Sequence, residues 1–273
     1  ALFSCEKYVD INIPYEGDKI VLNSIIQKDT NIYIRATVSS PVRKEADFLE
    51  CEGAKVDIYE NEIFKETLTP EYNDNRLYYK TSFNATEGSK YKFKAVVKGL
   101  DSVFCETIVP LKPAFEIIGN ETAQDESYIK VKLKIKDNGN IKNYYRLQVY
   151  NIYNAQSDYY KYLNKFFIEE FKENYLNEII KGDEYYNEIY FSDEKFNGKE
   201  IAFTIKMTFW TEYVSFQLNN LSEDAYKGLK TISQQNKSSG DPFSEPVKVY
   251  SNVIGGYGLV AGINDSSIIA QLK

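Results

Sequence analysis

The chain has 273 residues, 43% hydrophobic and 27% charged, with a formal net charge of -7; it is long enough to bury one large core or two ordinary ones without disulfide or metal support. Seven Pro and 14 Gly exclude collagen-like and low-complexity classes, and the acidic balance, with no clustered Lys/Arg face, excludes nucleic acid as a partner. Histidine is absent, which removes Ser-His-Asp and Cys-His nucleophiles, His-ligated zinc and imidazole proton shuttles, so no cofactor or metal is expected.

The first element is Leu2-Phe3-Ser4-Cys5. It fits the Leu-x-small-Cys box that ends bacterial lipoprotein signal peptides, whose cysteine is acylated and becomes the mature N-terminus. The polar run from Glu6 to Lys19 follows, so residues 1–18 read as lipobox and tether. No apolar run approaches the ~18 residues of a membrane-spanning helix. Membrane attachment therefore rests on lipidation of Cys5, at about 0.8 kcal/mol per buried CH₂. The same reading places the chain in an oxidising compartment and leaves Cys51 and Cys105 as an even pair. Two outcomes fit: a disulfide, worth about 4 kcal/mol in the chain-entropy model, or two buried free thiols.

Residues 19–110 carry repeated strand patterns. "KIVLNSIIQ", "NIYIRATVSS", "AKVDIYENEIFKETLTP", "NRLYYKTSF", "KYKFKAVVKG" and "SVFCETIVP" alternate apolar and polar residues between short turns. They predict an antiparallel β-sandwich of about seven strands. Pro110 and Pro113 mark a hinge into a second domain, 114–273.

That domain opens on "YIKVKLKIKDNGNIKNYYRLQVYNIY", read as a hairpin with a type I′ turn at Asn138-Gly139. Its alternating lysines suit a solvated or protected strand face. Residues 158–181 predict a long helix: Asp158 is a candidate N-cap, Tyr159, Leu163, Phe167, Phe171, Tyr175 and Ile179 recur at helical spacing, and Gly182 stands at the C-cap position. Strand patterns resume in "EIYFSDEKFNGKEIAFTIKMTFW" and "EYVSFQLNNL". A short helix near 222–235 follows, with Ser222 as N-cap and Glu223 and Asp224 complementing its dipole. "VKVYSNV" reads as a strand and the "GGYG" run as a tight turn or bulge into a last strand. A phosphate cradle is rejected there, because no helix follows.

The C-terminal pattern is the most specific part of the sequence. Leu221, Ser222 and Tyr226 open a helix, Asp241-Pro242-Phe243 and Glu245-Pro246 follow, and Tyr250-Ser251-Asn252 leads to Gly256 and Gly258. With Cys5-Glu6, "VDINIP" and "GAKVDIYEN", this resembles a family of uncharacterised Bacteroidetes outer-membrane lipoproteins known as domain of unknown function 4249. Asp158–Lys181 and "LVAG" depart from its pattern. The resemblance implies an accessory lipoprotein of a TonB-dependent receptor and brings no catalytic residues. Asp101-Ser102-Val103 resembles the short O-glycosylation site of exported Bacteroidetes proteins, with Ser102 the acceptor. "CEKYVD" weakly resembles a surface-export signal, so a cell-surface-facing body is expected.

The expected fold is mainly β: two antiparallel Ig-like or transthyretin-like β-sandwich domains, the second with a long helical insertion and a short helix. The leading functional expectation is non-enzymatic: an outer-membrane lipoprotein assisting a TonB-dependent receptor in nutrient uptake or receptor assembly. A carbohydrate- or peptide-binding module, using some of the 24 Tyr and Trp210, is the alternative. A carboxylate-pair hydrolase built on clusters such as Asp183-Glu184 or Asp193-Glu194 ranks last, since such pairs are usually solvated surface.

Overall fold

A computed structural model describes residues 15–41, 48–124, 127–155, 158–171, 185–208, 211–238 and 247–271. Alternation of apolar and polar side chains builds the first half. In β1 (Ile20–Gln27), Ile20, Leu22 and Ile26 point into a core, and in β2 (Asn31–Val38) Ile32, Ile34 and Ala36 do the same. The short β3 (Leu49–Glu50) pairs with β2. Then come β4 (Lys55–Glu60), β5 (Ile63–Thr67), β6 (Thr69–Asn73), β7 (Arg76–Asn84), β8 (Lys90–Val96) and β9 (Val103–Ile108). The turn between β4 and β5 uses left-handed residues, Asn61 at φ 51° and Glu62 at φ 67°. β5, β4, β8 and β9 form a four-stranded sheet whose buried residues share one hydrophobic cluster with β1, β2 and β7.

The second half contains β10 (Ala114–Thr122), β11 (Ile129–Lys136), β12 (Tyr144–Ala155), β13 (Asp158–Leu163), β14 (Phe166–Phe171), β15 (Glu188–Ser192), β16 (Glu200–Met207) and β17 (Tyr213–Leu221). Helix α1 (Glu223–Ser238) and β18 (Tyr257–Gln271) complete it. β10, β11, β16 and β14 make a second four-stranded sheet over a core shared with β12 and β17. The lysines of β11 lie on its outer face, where Lys130 pairs with Glu169 at 2.7 Å and Lys134 with Glu116.

The halves are joined by one ten-stranded sheet in the order β13-β12-β17-β18-β1-β2-β7-β6, with β15 also on β12 and β3 on β2. β18 changes partner midway. From Tyr257 to Ile263 it runs parallel to β1, and from Ile263 to Gln271 antiparallel to β17. Val253 and Val260 accordingly belong to the first core, so the body expected to end near residue 110 is completed by a segment about 150 positions later. The Pro110–Pro113 stretch is pinned: Asn264 Nδ2 donates to Pro110 O at 3.0 Å and Asn220 Nδ2 to Leu111 O at 3.0 Å.

Three local expectations fail. The long helix is replaced, over its described part, by the two strands β13 and β14; residues 172–181 of that prediction and Gly182 lie outside the described residues. A spacing of four is a multiple of two as well as close to one helical turn, so the Tyr159-Leu163-Phe167-Phe171 series fits a strand equally. Burial of Phe166 and Ile168 with Phe167 only half-buried shows the strand period. The Asn138-Gly139 hairpin is also absent. β11 pairs with β10 and β16 while β12 pairs with β13, β15 and β17, so this loop crosses between sheets, and neither residue has positive φ. Finally, residues 247–253 form no strand; the segment is held instead by side chains, as with Tyr250 N–H donating to Thr231 Oγ1 at 3.0 Å.

The short helix is as expected. Ser222 Oγ accepts from Ala225 N–H at 3.1 Å, and Glu223 and Asp224 occupy the first turn. So is the glycine turn before β18. Gly258 has φ 113°, and a Cβ there would lie 2.0 Å from Leu22 O; at Gly256 it would lie 2.2 Å from Ile20 O. Side chains at either point would force β18 off β1. Gly258→Ala is therefore expected to destabilise the chain by more than about 3 kcal/mol in chemical denaturation. Gly53→Ala, also at positive φ but with nothing within 4 Å, is expected to lose only about 1 kcal/mol. Equal losses would show that strand approach is not the constraint.

Candidate functional site

Helix α1 lies on the outer face of the large sheet. Ala225 and half-buried Tyr226, Leu229 and Ile232 pack with Tyr144, Tyr190, Leu221, Leu259 and Ala261. Its approach is close, because a Cβ on Gly228 would meet Leu259 Cδ2 at 2.4 Å. Ser222 fixes the helix start to β18 and β9: its Oγ also accepts from Gly262 N–H at 3.3 Å and from the Thr107 hydroxyl at 3.3 Å.

The far half of α1 does not close on the sheet. A cleft of about 510 Å³ opens between Leu229, Ile232, Ser233 and Asn236 on the helix and Arg146, Tyr190 and Glu188 on the strands, with Lys165, Tyr185 and Tyr186 at its rim. Arg146 and Tyr190 are cross-strand neighbours on β12 and β15. Arg146 Nε donates to Asn219 Oδ1 at 2.9 Å, which holds the guanidinium over the sheet. Glu188 Oε2 accepts from Gln148 Nε2 at 3.1 Å. Burial, and then the nearby Glu188 charge, push the Tyr190 hydroxyl above its ordinary value, so it stays a hydrogen-bond donor. Such a wall of rings, amides and charges can stack on a ligand and orient it by hydrogen bonds.

The residues singled out from the sequence lie elsewhere. Cys5, Trp210, Asp183-Glu184 and the Asp241–Pro246 segment lie outside the described residues. Asn252, Gly256 and Gly258 gather with Ser102 and Cys105 where the approach to β18 crosses β9. Asn252 Nδ2 donates to Glu106 O at 3.2 Å and Val260 O at 2.8 Å, its Oδ1 accepts from Val260 N–H at 3.0 Å, and Ile254 bridges Phe104. This is a structural clamp. Ser102 is exposed just before β9. No motif in the sequence points to the cleft: its walls come from separate segments that show no common spacing, and Leu163, which also lines it, reads there only as part of a helical stripe.

Cys51 and Cys105 are free, both buried in the first core. The disulfide alternative fails in this structure. Cys51 is tied to β2, its N–H donating to Ala36 O at 3.0 Å, while Cys105 stands opposite Phe93 in the other sheet. Burial pushes the Cys51 thiol up to about 11 and the Cys105 thiol up to about 12, which leaves both protonated and unreactive near neutral pH. In a Cys5→Ala chain a thiol reagent is expected to label neither cysteine in native buffer within minutes and both in denaturant without reductant. Labelling that requires reductant would restore the disulfide.

Asp193 departs from the expected solvated acidic pair: it is 1% exposed. Its Oδ2 accepts from Asn143 N–H at 2.7 Å, and Asn143 Nδ2 also donates to Asp137 Oδ1 at 3.2 Å. Asp137 further accepts from the Tyr145 hydroxyl at 2.6 Å and Gly198 N–H at 2.7 Å. The two carboxylates hold the loops after β11 and β15 in place. Burial first, and then Asp137, raise the Asp193 pKa above its ordinary 3.8. A carboxyl raised on folding contributes stability below its unfolded pKa and loses it as pH rises through the folded value. Asp193→Asn keeps an acceptor and removes the ionisation. It is expected to raise the melting temperature relative to the parent more at pH 7 than at pH 4, measured by thermal unfolding across pH.

No curated protein matches the chain. A solved structure described as Escherichia coli alpha-2-macroglobulin activated by porcine elastase is 9% identical, with a TM-score of 0.26, over 75% of this chain and 18% of that one. The chain thus spans about a fifth of that protein's length, and the likeness carries no argument about function. The family described as Domain of unknown function (DUF4249) matches residues 6–269, nearly the whole sequence, and the chain belongs to it.

Proposed function

We propose that this chain is a non-enzymatic lipoprotein of the outer membrane, anchored by a lipid on Cys5, that assists a TonB-dependent receptor in nutrient uptake or receptor assembly. In this reading each half is a β-sandwich of the Ig-like or transthyretin-like kind, the body faces the cell surface, and Ser102 is a candidate glycan acceptor. The Leu2-Phe3-Ser4-Cys5 box and the family resemblance support the envelope location.

The observation that supports docking is an apolar groove of about 370 Å³ at the junction of the halves, lined by Ile108, Pro110, Leu111 and Ile141. Ile108 is 44% and Ile141 41% exposed, and clustered exposed apolar side chains mark contact surfaces. The groove sits where both halves share the ten-stranded sheet, so an occupant would contact both at once.

A second reading, a glycan- or peptide-binding module, is favoured by the tyrosine-lined cleft beside α1. The hydrolase reading gains nothing from Asp137 and Asp193, since both carboxylates are committed to loop hydrogen bonds.

Gentle detergent extraction of native outer membranes, followed by pull-down and mass spectrometry, tests the docking role. The parent chain is expected to retain a β-barrel receptor, and Ile141→Asp, a substitution at an exposed position, to reduce its recovery at least about tenfold. Cys5→Ala is expected to abolish membrane association. A chain that purifies alone, or an Ile141→Asp chain that keeps the receptor, would remove the support for docking.

A further inference from the structure

We infer that the cleft between α1 and β15 binds an acidic saccharide, with Arg146 and Lys165 holding a carboxylate and the cleft's tyrosines stacking against sugar rings. This rests on the second reading above, that the chain binds a ligand of the glycan or peptide class, and is independent of receptor docking.

The charge at the cleft runs against that of the molecule. The chain as a whole carries -7, yet the described charged residues lining the cleft are Arg146, Lys165 and Glu188, two cations to one carboxylate. Glu188 accepts from Gln148 Nε2 and also hydrogen-bonds Tyr190, which turns it toward neighbouring side chains. Neither Arg146 nor Lys165 has an ion-pair partner among the described residues. Arg146 is held through Nε by Asn219 and also hydrogen-bonds the Tyr190 hydroxyl, so its fork is fixed in orientation and its remaining N–H groups can meet a carboxylate. Two cations beside a low-dielectric wall of Tyr190, Leu229 and Ile232 favour an anion over a neutral ligand.

The remaining walls suit a sugar. Tyr185 is 58% exposed, its ring tilted at 51° to that of Phe167 with 6.1 Å between centroids. An exposed ring with one aromatic neighbour suits stacking. The Ser233 hydroxyl adds a donor and acceptor to the lining, and Tyr190, whose hydroxyl bonds Arg146 and Glu188, contributes its ring. A volume of about 510 Å³ lies within the range of small-ligand sites.

The test is isothermal titration of the full chain with trigalacturonate, its fully methyl-esterified form, and an N-acetylated tripeptide with a free C-terminal carboxylate. Trigalacturonate is expected to bind, with affinity lowered at least about tenfold by esterification, by Lys165→Gln and by Arg146→Gln, since each removes a charge-assisted hydrogen bond. Binding is also expected to weaken as salt rises. Ser233→Phe, which fills the cleft without changing its charge, is expected to abolish it. Circular dichroism and melting temperature establish that each variant is folded, and Lys165→Gln, at an exposed position, carries the test should Arg146→Gln unfold. Equal affinity for the ester would overturn the carboxylate while leaving a glycan site in place. Binding of the tripeptide alone would overturn the saccharide class. Binding of none of the three by the folded parent would overturn the proposal and the ligand-binding reading together.

Discussion

Everything in this molecule depends on the hydrogen-bond ladder of β18. Backbone donors and acceptors within a strand need partners, and β18 finds them by dividing its length between two strands, with side chains of Asn252, Thr107 and Ser222 bonding its first half as well. Tyr257–Ile263 lie against β1, and Ile263–Gln271 against β17. The first core therefore cannot be completed without the last strand of the chain, and the second cannot pair fully without it either. The glycines that precede and open this strand make the parallel approach to β1 sterically possible, and Asn252 locks it from the other side by bonding both the N–H and the carbonyl of Val260.

A seam of buried amides reinforces the same junction. Asn220 and Asn264 are cross-strand neighbours, and they capture the consecutive carbonyls of Leu111 and Pro110. Proline offers no N–H, so this linker cannot enter a ladder of its own; its carbonyls are satisfied from the sheet below. Asn264 also donates to Glu87 at 2.9 Å and Asn220 to Asn143 Oδ1 at 3.0 Å. The connection between the halves is thus a fixed joint. That gives physical meaning to a groove and a cleft that both draw on residues far apart in the chain.

Strand-rich character was legible because it lies in local alternation. Ile32, Ile34 and Ala36, or Ile129, Val131, Leu133 and Ile135, point inward wherever the chain is placed, and their period is two. Helix α1 was legible for a comparable reason, as Ser222 and its acidic first turn are capping signals contained within a few residues. Over 158–171 the sequence suits a helix and a strand alike, because residues four apart share a face in both periods. Asn138-Gly139 signals only that the chain turns, not which sheet it enters next. The cleft had no local signature at all: Arg146, Lys165, Tyr185 and Ser233 belong to separate elements.

The amino-acid sequence by itself determined the class of the protein, its mainly β character, the capped helix near its end and the family to which it belongs, since each is carried by short-range periodicity or by contiguous motifs. Only the tertiary structure decided that the last strand is shared between two cores, that Cys51 and Cys105 stay apart as thiols, that Asp193 is buried, and that two cations converge beside three tyrosines. Those outcomes depend on which strands pair across long stretches of chain, and pairing is selected by the combined burial and hydrogen bonding of the whole molecule, which no single segment encodes.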